Sequence, residues 1–167
     1  MKLFLKIAIL IIALLVIFKS CGPFLGVSNS LIGQPAPDFT LGTLSGQEKN
    51  MAQFRSGQPA LIFFWATWCP HCRKQLQELT QQREDITEKG IKIILVDVGE
   101  GVQEVRAYMD AQEILFDVFL DQNGVVASDY RVVGVPTFFF VNKEGTVIAA
   151  EHVLPNNYEE ILLGLVL

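Results

Sequence analysis

The segment Ala60–Ala66 (Ala-Leu-Ile-Phe-Phe-Trp-Ala) is an unbroken apolar run, and Pro70 follows it by four residues. A run this short, with no polar alternation, reads as a strand buried on both faces. Proline is favoured in the first turn of a helix, where its missing N–H has no partner to lose. Leu76, Leu79 and Ile86 then form an apolar stripe until Gly90 stops the helix. A strand covered on both faces that feeds straight into a helix calls for a layered α/β domain.

The remaining pattern agrees. Ile91–Val98 is a second buried strand, followed by a helix over about Val102–Gln112. Phe116–Leu120 reads as a short strand and Gly124–Tyr130 as a brief helix. Val135-Pro136-Thr137 leads into a strand over Phe138–Val141, and the Lys143-Glu144-Gly145 turn returns the chain as Thr146–Ala150. Asn156 or Asn157 caps a last helix running to about Leu165. Ahead of all this, Gln34–Asp38 is an extended entry, and Phe39–Leu44 with the Ser45-Gly46 turn predicts a hairpin. Crossover helices impose parallel pairing on the first strands, and the closing hairpin adds antiparallel ones, so the central sheet is expected to be mixed and flanked by helices.

The N-terminus is of another kind. Lys2 and Lys6 precede twelve apolar residues, Ile7–Phe18. That length fits the hydrophobic region of a signal peptide and is short for a membrane span. Residues 1–20 are thus expected to be a signal or anchor, residues 21–32 a tether, and residues 33–167 the folded domain. Basic charge at the extreme N-terminus holds that end in the cytoplasm and sends the domain across, to the extracytoplasmic (periplasmic) side of the cell envelope. Three fates stay open: an uncleaved anchor, lipidation at Cys21, or cleavage after Ser28. Lys2, Lys6 and Lys19 lie in the leader, which leaves ten basic against eighteen acidic side chains, a net charge of −8. Binding nucleic acid requires basic surface, so no nucleic-acid partner is expected.

Three cysteines are too few for a disulfide-stapled scaffold. Two of them, in Cys69-Pro70-His71-Cys72, sit where the buried strand becomes a helix. The two-residue spacer lets the sulfurs bond with little strain. Cys69 lies at the helix N-terminus, where unpaired N–H groups and the helix dipole favour the reactive thiolate. His71 adds positive charge nearby when protonated. Cys72, one turn inside, is expected to be the more buried, resolving thiol. Half a zinc site is the competing reading, with only Cys21, His71 and His152 left as further ligands; a purely structural disulfide would close too small a loop to stabilise much.

Phe64-Trp-Ala-Thr-Trp-Cys-Pro-His-Cys72, followed by Gly134-Val-Pro-Thr137, resembles the thioredoxin fold. The leader, the Ala36-Pro-Asp-Phe-Thr40 entry and a strand–helix insert between the motifs are similar to its TlpA/ResA-like branch of thiol–disulfide oxidoreductases. The resemblance spans about Gly33 to the C-terminus. It implies that Pro136 is a cis-proline facing the cysteine pair and that the Val135 backbone pairs with an extended client segment. It also implies client proteins bearing cysteines, and a membrane redox partner that resets the pair. That reading leaves both directions of electron flow open: reduction as in cytochrome c maturation, or oxidation of exported proteins. No cofactor is implied.

Three departures from the pattern stand out. Thioredoxins usually carry a buried Asp where this chain has Phe63. Many TlpA-like proteins carry a Glu three residues after the second cysteine, where this chain has Gln75. Pro-His between the cysteines is the pair of DsbA-type oxidases, whose potential is about −120 mV against about −270 mV for thioredoxin.

Other residues read more plainly. Trp65 belongs to the core and Trp68 lines the surface where a partner docks. Phe138, Phe139 and Phe140 are strand core, and Arg73 and Lys74 are solvated first-turn residues. His152 reads as a surface or hairpin histidine, and Asp97 as an acidic residue at a loop start without a role. Two other functions compete with the oxidoreductase. A copper carrier of this fold has a three-residue spacer and a distal histidine. A peroxiredoxin-like peroxidase has Thr or Ser three residues before its cysteine, where this chain has Ala66.

Overall fold

The computed structural model describes residues 29–164. The leader, Cys21 and the candidate cleavage point lie outside the described residues; the last helix ends at Leu162, short of the expected Leu165. Among the described residues no helix is long and apolar enough to cross a membrane.

A small antiparallel hairpin comes first, β1 (Thr40–Gly42) and β2 (Glu48–Asn50). The helix α1 (Met51–Arg55) follows directly, its start fixed by Asn50, whose side chain accepts the Gln53 N–H at 2.9 Å. The central sheet has five strands in the order β5 (Val118–Asp121), β4 (Lys92–Val98), β3 (Ala60–Trp65), β6 (Thr137–Val141), β7 (Val147–Glu151). β3 pairs parallel with β4 and antiparallel with β6, so the sheet is mixed, as the alternation of motifs requires. The helices α2 (Pro70–Gln81), α3 (Arg83–Glu88), α4 (Val102–Ala111), α5 (Val125–Asp129) and α6 (Tyr158–Leu162) complete the fold. β5 and α5 form the strand–helix insert ahead of Pro136.

Every residue of β3 is buried, which explains its unbroken apolar sequence. Leu61, Phe63 and Trp65 pack on one sheet face with Cys69, Cys72, Leu76 and Leu79. Ala60, Ile62 and Phe64 pack on the other with Phe39, Val126, Tyr130 and Phe139. Two cores thus hold β3 in place, and the end of β3 fixes where the cysteine helix starts.

Three expectations need correction. The helix from Pro70 does not run on to Gly90; it breaks at Gln82 (φ −95°, ψ 2°) and restarts as α3. Thr80 Oγ1 donates back to the Leu76 carbonyl at 2.8 Å, a bond that bends helices, and the break leaves Ile86 fully buried. Asn157 precedes α6 without a side-chain capping bond. The helix α1 was not expected, although Asn50 is a favoured N-cap residue.

Candidate active site

Cys69 is the N-cap of α2 and Pro70 opens the helix. The chain reaches this point because β3 ends at Trp65 and a tight turn follows, closed by the Cys69 N–H bonding the Ala66 carbonyl at 3.3 Å. Cys69 and Cys72 form a disulfide across a Cα–Cα distance of 5.2 Å, well inside the usual range. Cys69 Sγ accepts the Cys72 N–H at 3.2 Å, one of the helix donors with no intrahelical partner. Such a donor, together with the helix dipole, favours negative charge on this sulfur once the bond opens. Cys69 retains 4% exposure and Cys72 none, so Cys69 is the more accessible of the two.

The Val135–Pro136 peptide bond is cis. The Val135 carbonyl oxygen lies 3.6 Å from Cys69 Sγ, so the Gly134–Thr137 loop borders the disulfide directly. Thr137 Oγ1 donates to the Gly134 carbonyl at 2.7 Å and tightens that loop. Trp68, at 66% exposure, and Val133, at 91%, leave large apolar surface beside Cys69 and beside the loop. His71 and Pro70 are exposed on the first turn of α2. The structure therefore brings Trp68, Cys69, Cys72, Val135 and Pro136 together at one end of the sheet.

The departures at Phe63 and Gln75 have structural counterparts. Phe63 stacks on Phe138 with ring centroids 4.2 Å apart and planes 5° from parallel, so packing fills its site completely. Gln75 is buried; its Oε1 accepts the Leu154 N–H at 2.7 Å and its Nε2 donates to Glu78 at 2.6 Å. It ties α2 to the segment after β7. Trp65 is fully buried and Phe138–Phe140 are strand core, as expected. Lys74 makes only an exposed pair with Glu78 at 3.8 Å.

The contacts of three residues emerged only from the fold. His152 is exposed, yet its Nδ1 donates to the Pro136 carbonyl at 2.8 Å, so it braces the loop beside the disulfide and is more than a surface histidine. Glu100 clamps Thr67, accepting its N–H at 2.5 Å and its hydroxyl at 2.6 Å, two residues before Cys69. Asp97 is not at a solvated loop start: it is fully buried, and neither carboxyl oxygen has a hydrogen-bond partner. Burial, reinforced by the neighbouring Glu100 carboxyl and by Asp121, pushes it up to about 8. No local sequence signal marks His152 or Glu100, because their partners lie 16 and 33 residues away.

A thioredoxin-like mixed sheet that presents a two-cysteine disulfide at a helix N-terminus defines a thiol–disulfide oxidoreductase. Comparison with known proteins agrees, and the chain belongs to the AhpC/TSA family, which it matches over residues 32–150. It is 33% identical over 117 residues to the thioredoxin-like protein YneN of Bacillus subtilis, covering 69% of this chain and 68% of YneN. It is 31% identical over 125 residues to the thiol-disulfide oxidoreductase ResA of the same organism, covering 75% of this chain and 69% of ResA. The crystal structure of a putative thiol:disulfide interchange protein DsbE from Chlorobium tepidum superposes with a TM-score of 0.70. The two are 25% identical, and the match covers 80% of this chain and 96% of that one. The ResA match bears out the TlpA/ResA-like resemblance.

Proposed function

We propose that this protein is an exported, membrane-tethered oxidoreductase that exchanges its Cys69–Cys72 disulfide or dithiol with cysteines of client proteins. One observation carries the reading: of the two bonded sulfurs, Cys69 reaches solvent and receives a helix-terminal N–H, while Cys72 is sealed behind it. In oxidation of a client, a client thiolate attacks Cys69 Sγ and Cys72 leaves as a thiolate, which takes up a proton. A second client thiol, on losing its proton, then attacks the client sulfur of the mixed disulfide and releases Cys69 as a thiolate. Two electrons pass from the client to the protein. In reduction the same steps run backwards.

Pro70 and His71 tune the pair from the exposed first turn, His71 by adding positive charge beside the Cys69 thiolate when protonated. Trp68 and the Val135–Pro136 loop receive the client, the ring offering apolar surface and the loop offering main-chain partners. The basic, apolar leader supports export and tethering, and a membrane redox partner resets the pair. The resemblance to the TlpA/ResA-like branch favours reduction of clients, as in cytochrome c maturation. The Pro-His spacer favours oxidation.

Serine variants of the full-length chain test the reading. Cys69→Ser is expected to abolish exchange with a disulfide-bonded peptide, and Cys72→Ser, whose remaining Cys69 thiolate attacks that disulfide and releases one peptide thiolate, to accumulate a mixed disulfide that is stable until a reductant is added. A Cys72→Ser protein that forms no mixed disulfide with the peptide disulfide would overturn it. The reduction potential, set against glutathione buffers, decides direction: near −120 to −180 mV marks a disulfide donor, and about −220 mV or lower marks a reductase.

A further inference from the structure

Asp97 has a companion with the same difficulty. It pairs in register with Trp65 across β4 and β3, and the Trp65 indole N–H is likewise buried without a partner. Ile93 and Leu95, which precede Asp97 at alternate positions of β4, lie in the apolar cluster that holds Trp65, Cys69 and Cys72. Side chains alternate along a strand, so Asp97 continues that row on the face that carries the disulfide. The next acidic residue, Glu100, is the one that clamps Thr67 in front of Cys69. A buried carboxyl and the brace of the cysteine loop thus share three residues of chain.

The charged groups that bear on Asp97 are both acidic. Glu100 comes from its own loop, and Asp121 from the end of β5, where it accepts the N–H groups of Val126 and Ala127. On the helix side, the ionisable groups around Trp65 are Cys69 and Cys72 of α2 and Tyr108 of α4. The Tyr108 ring sits 5.9 Å from the indole and feels the charge of Arg73. A second negative charge in this apolar region is costly, because low dielectric strengthens repulsion between like charges.

We propose that Asp97 is a proton-holding residue coupled to the Cys69–Cys72 pair, keeping its proton more firmly when the pair is reduced than when the disulfide is closed. The proposal rests on the reading of Cys69 and Cys72 as the exchanging pair. The reduced pair carries a Cys69 thiolate, whose charge opposes ionisation of Asp97. Closing the disulfide sends two electrons to the client disulfide and the Cys72 proton to a departing client thiolate. The Cys69 charge vanishes in that step, and Asp97 then releases its proton at lower pH. By linkage, ionised Asp97 favours the disulfide, so the wild type becomes progressively harder to reduce above pH 8 than a variant without this carboxyl.

Two measurements on the full-length chain test this. The dithiol–disulfide equilibrium with glutathione is followed from pH 6 to 10 in the wild type and in Asp97→Asn. The ratio of the two equilibrium constants is expected to be flat below pH 7. Above it the ratio should move toward disulfide in the wild type, by about tenfold for each pH unit separating the two Asp97 midpoints. A ratio that stays flat to pH 10 overturns the proposal. The second measurement needs no variant: the Asp97 carboxyl carbon is titrated by NMR in the oxidised protein and in protein reduced chemically. A higher midpoint in the reduced form supports the coupling, and equal midpoints overturn it. If neither wild type nor variant exchanges with glutathione, the exchange reading fails, and the carboxyl titration still decides the coupling.

Discussion

His152 Nδ1 donates to the Pro136 carbonyl oxygen at 2.8 Å, which ties the residue after β7 to the residue before β6. The same nitrogen lies 3.4 Å from Thr137 Oγ1, the hydroxyl that closes the loop onto Gly134. One imidazole therefore braces the loop whose Val135 carbonyl borders Cys69. Removing it in His152→Ala is expected to slow exchange with a cysteine peptide by about three- to tenfold while costing only about 1 kcal/mol of stability, the worth of one exposed hydrogen bond. Exchange rates and urea unfolding check this together. An unchanged rate would show that the loop holds its shape without the histidine.

Gln75 stands where many relatives of the TlpA kind carry a carboxylate, and its amide donates to Glu78 at 2.6 Å. In Gln75→Glu that donor is gone and two carboxylates meet at the same distance, one of them buried. The variant is expected to lose about 2 kcal/mol at pH 7 and to recover most of it near pH 4, where one carboxyl takes up a proton to bridge the pair. Urea midpoints at the two pH values are the check, and equal losses at both would refute the charge argument.

The parts of this molecule that were legible in sequence are those written locally. β3 shows itself because burial on both faces leaves no polar residue between Ala60 and Trp65. Cys69 and Cys72 show themselves because Pro70 and the end of the strand fix a helix start between them. What was hidden depends on partners distant in sequence or on local competition. Asp97 looks like a loop-start acid until β5 and α4 are seen to close over the end of β4. The break at Gln82 comes just after Thr80, whose hydroxyl bonds back to the Leu76 carbonyl. The apolar stripe through Leu76, Leu79 and Ile86 gave no sign of it, since all three remain buried on either side of the break.

The hairpin is fastened to the sheet through Asp117. Its carboxylate accepts from Lys49 Nζ at 2.5 Å and from the Ser45 N–H and hydroxyl, each at 3.1 Å, next to the bridge between Thr43 and Phe119. Partial burial pushes the carboxyl up, but the Lys49 and Ser45 donors outweigh it and hold Asp117 below the usual carboxylate range. A depressed folded value contributes stability that is present above the ordinary value and lost as pH falls through the folded one. Asp117→Asn is expected to cost about 1 kcal/mol at pH 7, a cost that shrinks as pH falls below the ordinary carboxylate range, as measured by urea unfolding.

Asp97 has the opposite sign. Its folded value, about 8, lies above the ordinary 3.8, so between those values the folded chain holds a proton that the unfolded chain has released. Stability therefore falls as pH rises from about 4 to about 8, and above 8 the full cost of a buried carboxylate is present. The fully buried side chain, set beside the Glu100 carboxyl, makes this cost real. Asp97→Asn removes the charge while keeping the shape, and is expected to gain on the order of 2 kcal/mol at pH 8 and little at pH 4. Chemical unfolding of both proteins across that range is the measurement. A buried carboxyl that costs stability, next to the Glu100 brace on the cysteine loop, is better explained by its coupling to the disulfide than by packing. If Asp97→Asn proves no more stable at pH 8 than the wild type, the carboxyl is solvated in solution and that explanation falls.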